Sequence, residues 1–118
     1  MSVGITSHVL DIHSGRPAGN VKIELFRIQK SGAALLHSDY TNKDGRLPAP
    51  MLSGGDFTTG TYEILFHVGD YFRSQGVELP EPAFLEQVPV RFGIANAATH
   101  YHVPLLIAPW GYNTYRGS

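Results

Sequence analysis

The chain has 118 residues, of which 42% are hydrophobic and 16% charged, which indicates one folded domain over residues 1–118 and excludes a disordered chain. Its formal net charge of −1 argues against a nucleic-acid-binding protein, and no apolar run approaches the roughly 20 residues that span a membrane. The absence of cysteine excludes disulfide bonds, a thiol nucleophile and zinc–thiolate sites.

Strands are predicted over residues 5–13, 21–28 and 33–40, because β-forming residues alternate there and turn-rich segments separate them. Prolines and glycines after residue 46 leave room only for a short edge strand near Arg46. Another strand is predicted over residues 60–68. In the first strand, a period of two predicts two faces. One face holds Ile5, Ser7, Val9 and Asp11, and the other holds Thr6, His8, Leu10 and Ile12.

A single short helix is predicted over residues 69–76, with Asp70 as its cap and Gly76 closing it. A strand follows over residues 84–94, where Pro89 indicates an edge or a bulge because it has no N–H group. The last pair of strands covers residues 100–107 and 112–118, with a Pro- and Gly-containing turn between them. These elements predict an all-β fold, an antiparallel β-sandwich of seven or eight strands with one short helix.

Histidine is the most conspicuous chemical feature, with six copies in the chain. His100 and His102 occupy alternate positions of one predicted strand, so they would point the same way and could chelate a metal with His8 as a third ligand. The alternative is metal-free acid–base catalysis, in which a histidine activates water and an arginine such as Arg46 holds an oxygen-rich substrate. The alternative interpretation, in which Arg46 is a solvated charge on a loop without a functional role, is equally compatible with the sequence.

Serine-hydrolase chemistry is disfavoured, because the sequence contains no Gly-x-Ser-x-Gly motif and Ser118 has no following residues to form an oxyanion turn. The C-terminal Tyr-Arg-Gly-Ser directly follows a predicted strand, which would fix the α-carboxylate beside Arg116 and the Tyr115 hydroxyl. Packing is the simpler explanation for such an ending, and a site is the other.

Three segments together resemble a known family. They are Ser7-His8-Val9-Leu10-Asp11, Thr41-Asn42-Lys43-Asp44-Gly45-Arg46, and Tyr101-His102-Val103-Pro104-Leu105-Leu106 with the terminal Tyr115-Arg116-Gly117-Ser118. The sequence resembles the transthyretin-related 5-hydroxyisourate hydrolases from about residue 5 to residue 118. The terminal tetrapeptide is the specific part, since transthyretins share the body of the sequence but replace that ending.

The resemblance implies a transthyretin-like sandwich of two four-stranded sheets that assembles as a homotetramer, a dimer of dimers with a central channel and sites at the subunit interface. It implies hydrolysis of 5-hydroxyisourate in urate degradation, without a metal or cofactor, and without nucleic acid or membrane as a partner. The implied catalytic residues are His8, Arg46, His102 and Ser118. The implied substrate-binding residues are His8, Arg46, Tyr115, Arg116 and Gly117.

Trp110 and Asn113 depart from the commonest family pattern, and the resemblance leaves His13, His37, His67 and His100 as structural or solvated residues. Two alternatives remain open. One is a non-catalytic, transthyretin-like carrier of a small hydrophobic ligand, and the other is a β-sandwich interaction domain with incidental histidines. No charged segment followed by an apolar one precedes the first predicted strand, so we expect a cytoplasmic protein.

Overall fold

A computed structural model describes residues 3–117, and these residues form eleven short strands and one α-helix. The strands are β1 (Gly4–Thr6), β2 (Val9–Asp11), β3 (Arg16–Pro17), β4 (Lys22–Gln29), β5 (Gly32–Tyr40), β6 (Leu52–Ser53), β7 (Gly60–Phe66), β8 (Val88–Ile94), β9 (Tyr101–His102), β10 (Leu105–Ala108) and β11 (Gly111–Thr114). The helix is α1 (Val68–Ser74), and a single 3-10 turn covers Gly54–Asp56. No helix in this part of the chain is long and apolar enough to cross a membrane.

The strands form two layers. One layer is an antiparallel sheet in the order β5-β4-β7-β8. The other consists of two short sheets, β6-β1-β9 and β11-β10-β2-β3. These are parts of one layer, because β1 leads into β2 and β9 into β10, and hydrogen bonds from Val103 N to Thr6 O and from Leu105 N to His8 O continue the pairing between them. The predicted all-β sandwich with one short helix is confirmed.

The hydrophobic core combines buried side chains from both layers. Tyr62, Ile64 and Phe66 from β7 are fully buried, as the alternation over residues 60–68 predicts. In the other layer, Ile5 and Val9 are fully buried, and Ser7 and Asp11 on the same predicted face are also buried. The opposite face of this segment, which carries His8, is left half-buried and available for a site.

Two predicted strands are each broken in the structure. The first, over residues 5–13, is interrupted at positions 7 and 8, and the strand predicted over residues 100–107 is interrupted at Val103 and Pro104. Pro104 has no N–H group for the ladder, and the buried Ser7 Oγ donates a hydrogen bond to Val103 O at 2.7 Å. These breaks, together with the two-residue strands β3 and β6, raise the number of strands to eleven.

Two strand pairs in this layer are parallel, which the prediction of an antiparallel sandwich did not include. β1 pairs in parallel with β9, and β2 pairs in parallel with β10. The strand predicted over residues 84–94 begins only at Val88, and the strand predicted to run to the end of the chain stops at Thr114. Pro89 does lie in an edge strand, as predicted, since β8 is at the end of its sheet.

The predicted helix is confirmed, with a different start. It begins at Val68, and the N-cap position is His67 with no side-chain hydrogen bond, so Asp70 is not the cap. Gly76 follows the helix with φ of +81°, a conformation that glycine adopts without a steric penalty, which confirms its predicted closing role.

Candidate active site

The turn over residues 41–46 fixes the position of Arg46. Asn42 Oδ1 accepts hydrogen bonds from the N–H groups of Asp44 at 2.9 Å and Arg46 at 3.1 Å. Gly45 has φ of +78°, and its carbonyl oxygen accepts a hydrogen bond from Val9 N at 2.8 Å. A Cβ atom at Gly45 would overlap the carbonyl oxygen of Val9, so only glycine allows the turn to lie this close to the strand.

His8 lies beside this turn and forms an isolated antiparallel bridge with Arg46. Its Nε2 atom is 2.8 Å from the carbonyl oxygen of Asp44. Because a carbonyl oxygen only accepts hydrogen bonds, Nε2 carries the proton. A neutral His8 therefore has Nδ1 as its acceptor nitrogen.

His102 reaches the same region from β9, where it pairs with Thr6 of β1. Its Nδ1 atom is 2.8 Å from Thr6 Oγ1. Burial lowers the pKa of His102 below its ordinary value, and the nearby positive charges of Arg46, His8 and His100 lower this pKa further. At neutral pH His102 is therefore an uncharged imidazole.

The segment after β11 packs on His102. The N–H group of Gly117 donates a hydrogen bond to His102 O at 2.7 Å, and the two residues form an isolated bridge. A Cβ atom at Gly117 would lie 2.7 Å from His102 Cδ2. Because glycine has no side chain, the His102 imidazole occupies the space that a Cβ atom at position 117 would fill.

A cavity of about 430 Å³ lies where these elements meet. Its volume falls in the range of small-molecule sites, and charged and polar groups are prominent among its lining residues. The lining residues are Thr6, Ser7, Arg46, Leu47, Ala49 and His102. An uncharged imidazole and a guanidinium that face one open cavity can bind an oxygen-rich molecule and exchange protons with it.

Residues 5–117 match the model of the HIUase/Transthyretin family. The chain belongs to this family. The resemblance inferred from the three sequence segments is thus confirmed.

Relatives of known structure or name match nearly the whole of this chain. The chain is 59% identical over 114 residues to the "5-hydroxyisourate hydrolase 2" of Rhizobium meliloti (strain 1021), covering 97% of this chain and 95% of that protein. The solved structure of Klebsiella pneumoniae 5-hydroxyisourate hydrolase is 32% identical, with a TM-score of 0.80 and coverage of 98% and 99%. The solved structure of an (S)-allantoin synthase is 46% identical with a TM-score of 0.93, and the match covers 99% of this chain but 44% of that one.

The structure brings only part of the family-derived residue set to the cavity. Arg46 and His102 line it, whereas His8 contacts the Arg46 turn and Gly117 contacts His102. Tyr115 is 56% exposed and does not line the cavity. The Arg116 guanidinium lies 4.1 Å from the centre of the Tyr101 ring, outside the cavity lining. Ser118 lies outside the described residues.

Sequence reasoning missed the smaller residues that line the cavity. Thr6 and Ser7 lie in the same predicted strand as His8, and Leu47 and Ala49 follow Arg46. The period of two did place Thr6 on the same face as His8, which was the available signal.

The metal-chelating alternative gains no support from the structure. Among residues 3–117, no group of three or more histidine, aspartate or glutamate side chains is arranged to hold a metal ion. His100 Nε2 and His102 Nδ1 instead lie 2.8 Å from the same atom, Thr6 Oγ1.

Proposed function

We propose that this protein is a 5-hydroxyisourate hydrolase, which converts 5-hydroxyisourate to 2-oxo-4-hydroxy-4-carboxy-5-ureidoimidazoline in urate degradation. The observation that carries the proposal is the meeting of Arg46 and His102 at one open cavity, with His8 beside Arg46. Its support from relatives is the 59% identity with a protein named 5-hydroxyisourate hydrolase 2.

The proposed reaction is hydrolytic opening of the ring at the C6–N1 lactam bond. The pair of histidines, His8 and His102, positions a water molecule, and one of the two deprotonates it as its oxygen bonds to C6. Arg46 binds substrate oxygens and stabilises the negative charge of the tetrahedral intermediate. The C6–N1 bond then breaks, and N1 takes the proton. The Tyr115 hydroxyl and Ser118 orient the ring or complete the proton transfer. This chemistry requires only water activation and charge stabilisation, so the proposal includes no cofactor.

The carrier alternative fits the cavity less well. A site for a small hydrophobic ligand is lined mainly by apolar side chains. Here Arg46, His102, Thr6 and Ser7 all line the cavity. The interaction-domain alternative does not explain why the turn over residues 41–46 packs against His8 and the segment after β11 packs against His102.

We also propose that the chain, taken as one domain over residues 1–118, assembles as a homotetramer with the sites at subunit interfaces. β11 is an edge strand, and exposed strand edges favour pairing with another chain. Trp110 and Tyr112, at its start, are 62% and 47% exposed. A cytoplasmic location remains a prediction of the sequence analysis.

The test is the ultraviolet decay of 5-hydroxyisourate, freshly generated from urate by urate oxidase, with and without the protein. We expect decay faster than the spontaneous reaction and loss of the acceleration in His102→Asn. His13→Asn is the matched control, because His13 is exposed and does not line the cavity. Unchanged decay in the presence of folded wild-type protein would refute the proposal and favour the carrier. If His102→Asn and His13→Asn both lost activity, the loss would not be specific to the cavity, and the catalytic role of His102 would be unsupported.

Sedimentation analysis tests the tetramer separately. We expect a mass of four chains at micromolar concentration. A folded monomer with full hydrolase activity would contradict the placement of sites at subunit interfaces.

A further inference from the structure

A series of hydrogen bonds ends on His102, and its other members are not among the site residues that the family resemblance implies. The N–H group of Gly4 is 3.1 Å from His100 Nδ1, and His100 Nε2 is 2.8 Å from Thr6 Oγ1. Thr6 Oγ1 is in turn 2.8 Å from His102 Nδ1. His100, which the family resemblance implies to be structural or solvated, is connected to the cavity-lining His102 through the single hydroxyl group of Thr6.

The backbone N–H group of Gly4 determines which atoms donate and which accept along this series of hydrogen bonds. The Gly4 N–H group can only donate, so His100 Nδ1 accepts and the proton of a neutral His100 is on Nε2. His100 Nε2–H then donates to Thr6 Oγ1. The Thr6 hydroxyl keeps its own proton for His102, so His102 Nδ1 is an acceptor and its proton is on Nε2.

The opposite direction is unfavourable. If His102 Nδ1–H donated to Thr6, Thr6 Oγ1 would accept hydrogen bonds from both imidazoles, because the Gly4 N–H group keeps the His100 proton on Nε2. The hydroxyl proton of Thr6 would then have neither ring nitrogen as an acceptor. An unpaired donor in a half-buried position is unfavourable, so the first direction prevails.

We infer that Thr6 and His100 are positioning residues, which hold His102 as the Nε2–H tautomer so that it donates a hydrogen bond to the substrate. This inference rests on the proposed function and assigns the two histidines different roles. His102 Nδ1 is already occupied, so His102 is not the base. His8 is the base, because its Nε2–H donates to Asp44 O and its Nδ1 is the acceptor nitrogen.

The roles give a balanced reaction. The water oxygen bonds to C6 while His8 Nδ1 takes one water proton, and the C6 carbonyl oxygen becomes negatively charged. His102 Nε2–H and the Arg46 guanidinium donate hydrogen bonds to this oxygen. The C6–N1 bond then breaks, and His8 returns the proton to N1. His102 keeps its proton throughout, so the hydrogen-bonded chain does not have to reverse.

The first test reads the tautomer directly. Nitrogen-15 NMR of the imidazole groups at pH 8 distinguishes a protonated ring nitrogen from an unprotonated one. We expect His102 to be protonated on Nε2, with Nδ1 shifted as a hydrogen-bond acceptor, and His100 also to be protonated on Nε2. In Thr6→Val the acceptor shift of His102 Nδ1 should disappear. A proton on His102 Nδ1 in the wild type would overturn the inference.

The second test is kinetic. His100 does not line the cavity, so His100→Phe should lower kcat while KM changes less than about two-fold. At metal sites, the loss of a residue that orients a histidine costs about 10–100-fold in metal affinity or activity, and we expect a loss of about ten-fold in kcat here. Thr6→Val should lower kcat to a similar extent, and Thr6→Ser, which keeps the hydroxyl, should recover most of it. His13→Phe is the control for the same exchange at an exposed histidine.

The two tests separate the two proposals. Full kcat in both Thr6→Val and His100→Phe, with His102→Asn inactive, would overturn the inference and leave the hydrolase intact. An inactive wild type would refute the proposed function, and the NMR measurement would still determine which tautomer of His102 the chain of hydrogen bonds selects.

Discussion

The close approach of Gly117 to His102 provides a sharp test of the site. In Gly117→Ala, the new Cβ atom would lie 2.7 Å from His102 Cδ2. Two carbon atoms in contact prefer a separation of about 3.5–4.0 Å, so the imidazole must move by about 1 Å. The hydrogen bond from Thr6 to His102 Nδ1 is 2.8 Å long, and a lengthening of that size would break it.

We expect Gly117→Ala to lower kcat by about 100-fold, the effect of a misplacement of about 1 Å at a catalytic group. This corresponds to about 2.7 kcal/mol of activation free energy. The free energy of unfolding should fall by only about 1–3 kcal/mol, as for other overpacked positions. The assay is the ultraviolet decay of 5-hydroxyisourate, with urea unfolding of the same samples.

Gly55→Ala is the matched control, because a Cβ atom at Gly55 would meet nothing within 4 Å. We expect its kcat to stay within two-fold of the wild type. A folded Gly117→Ala protein with wild-type kcat would show that the position of the His102 ring does not limit turnover.

Three further predictions concern charge and hydrogen bonding. Arg46→Lys should lower kcat/KM by about 100-fold, because an ammonium group cannot replace the two-pronged contact of a guanidinium with substrate oxygens. The NMR titration of His102 should have its midpoint below about pH 6.5, because burial and the neighbouring positive charges disfavour its charged form. Protonation of His102 should therefore lower both activity and folding stability as the pH falls below that value, and the stability contribution should be complete above it. Tyr71→Phe should destabilise the fold by about 1–3 kcal/mol in urea unfolding, because the Tyr71 hydroxyl donates to the buried Asp11 carboxylate at 2.8 Å.

Each of these predictions has a control or a contrary result. Arg91→Lys changes an exposed arginine outside the cavity and should leave kcat/KM unchanged. Tyr40→Phe changes an exposed tyrosine and should alter the unfolding free energy by less than about 0.5 kcal/mol. A titration midpoint of His102 at or above pH 6.5 would contradict the electrostatic argument. An unfolding free energy of Tyr71→Phe equal to that of Tyr40→Phe would show that the Asp11 contact contributes nothing.

The sequence predicted the elements whose signal is local. The alternation of residues in β7 specified its buried face. Pro89 indicated that β8 is an edge strand, because proline has no N–H group to donate to a neighbouring strand. The breaks at Ser7 and Pro104 and the parallel pairing of β1 with β9 were missed. They depend on which distant segments meet, and nothing within one segment encodes that choice. The assignment of Asp70 as a helix cap was wrong because the N-cap position is His67, and Asp70 lies within the first turn of the helix.

The candidate site was predicted chiefly through family resemblance, and the residues alone left metal binding and acid–base chemistry open. The structure adds the side-chain contacts that depend on which residues of two strands are paired. Pairing Thr6 with His102 places a hydroxyl group against a ring nitrogen, which neither strand specifies by itself. The roles of Tyr115, Arg116 and Ser118 remain predictions.

The parallel pairing of β1 with β9 also affects how the protein folds. The sheet β5-β4-β7-β8 uses chain neighbours from Lys22 to Ile94, so it can form early from nearby segments. The contact between Thr6 and His102 instead joins residues 96 positions apart, and such distant contacts form slowly because a long loop must close first. During synthesis β1 and β2 can pair early with β6 and β3, but their other edges stay unpaired until residues 101–107 have left the ribosome. The layer that carries the candidate site is therefore completed after the opposite sheet, when residues 101–117 join it.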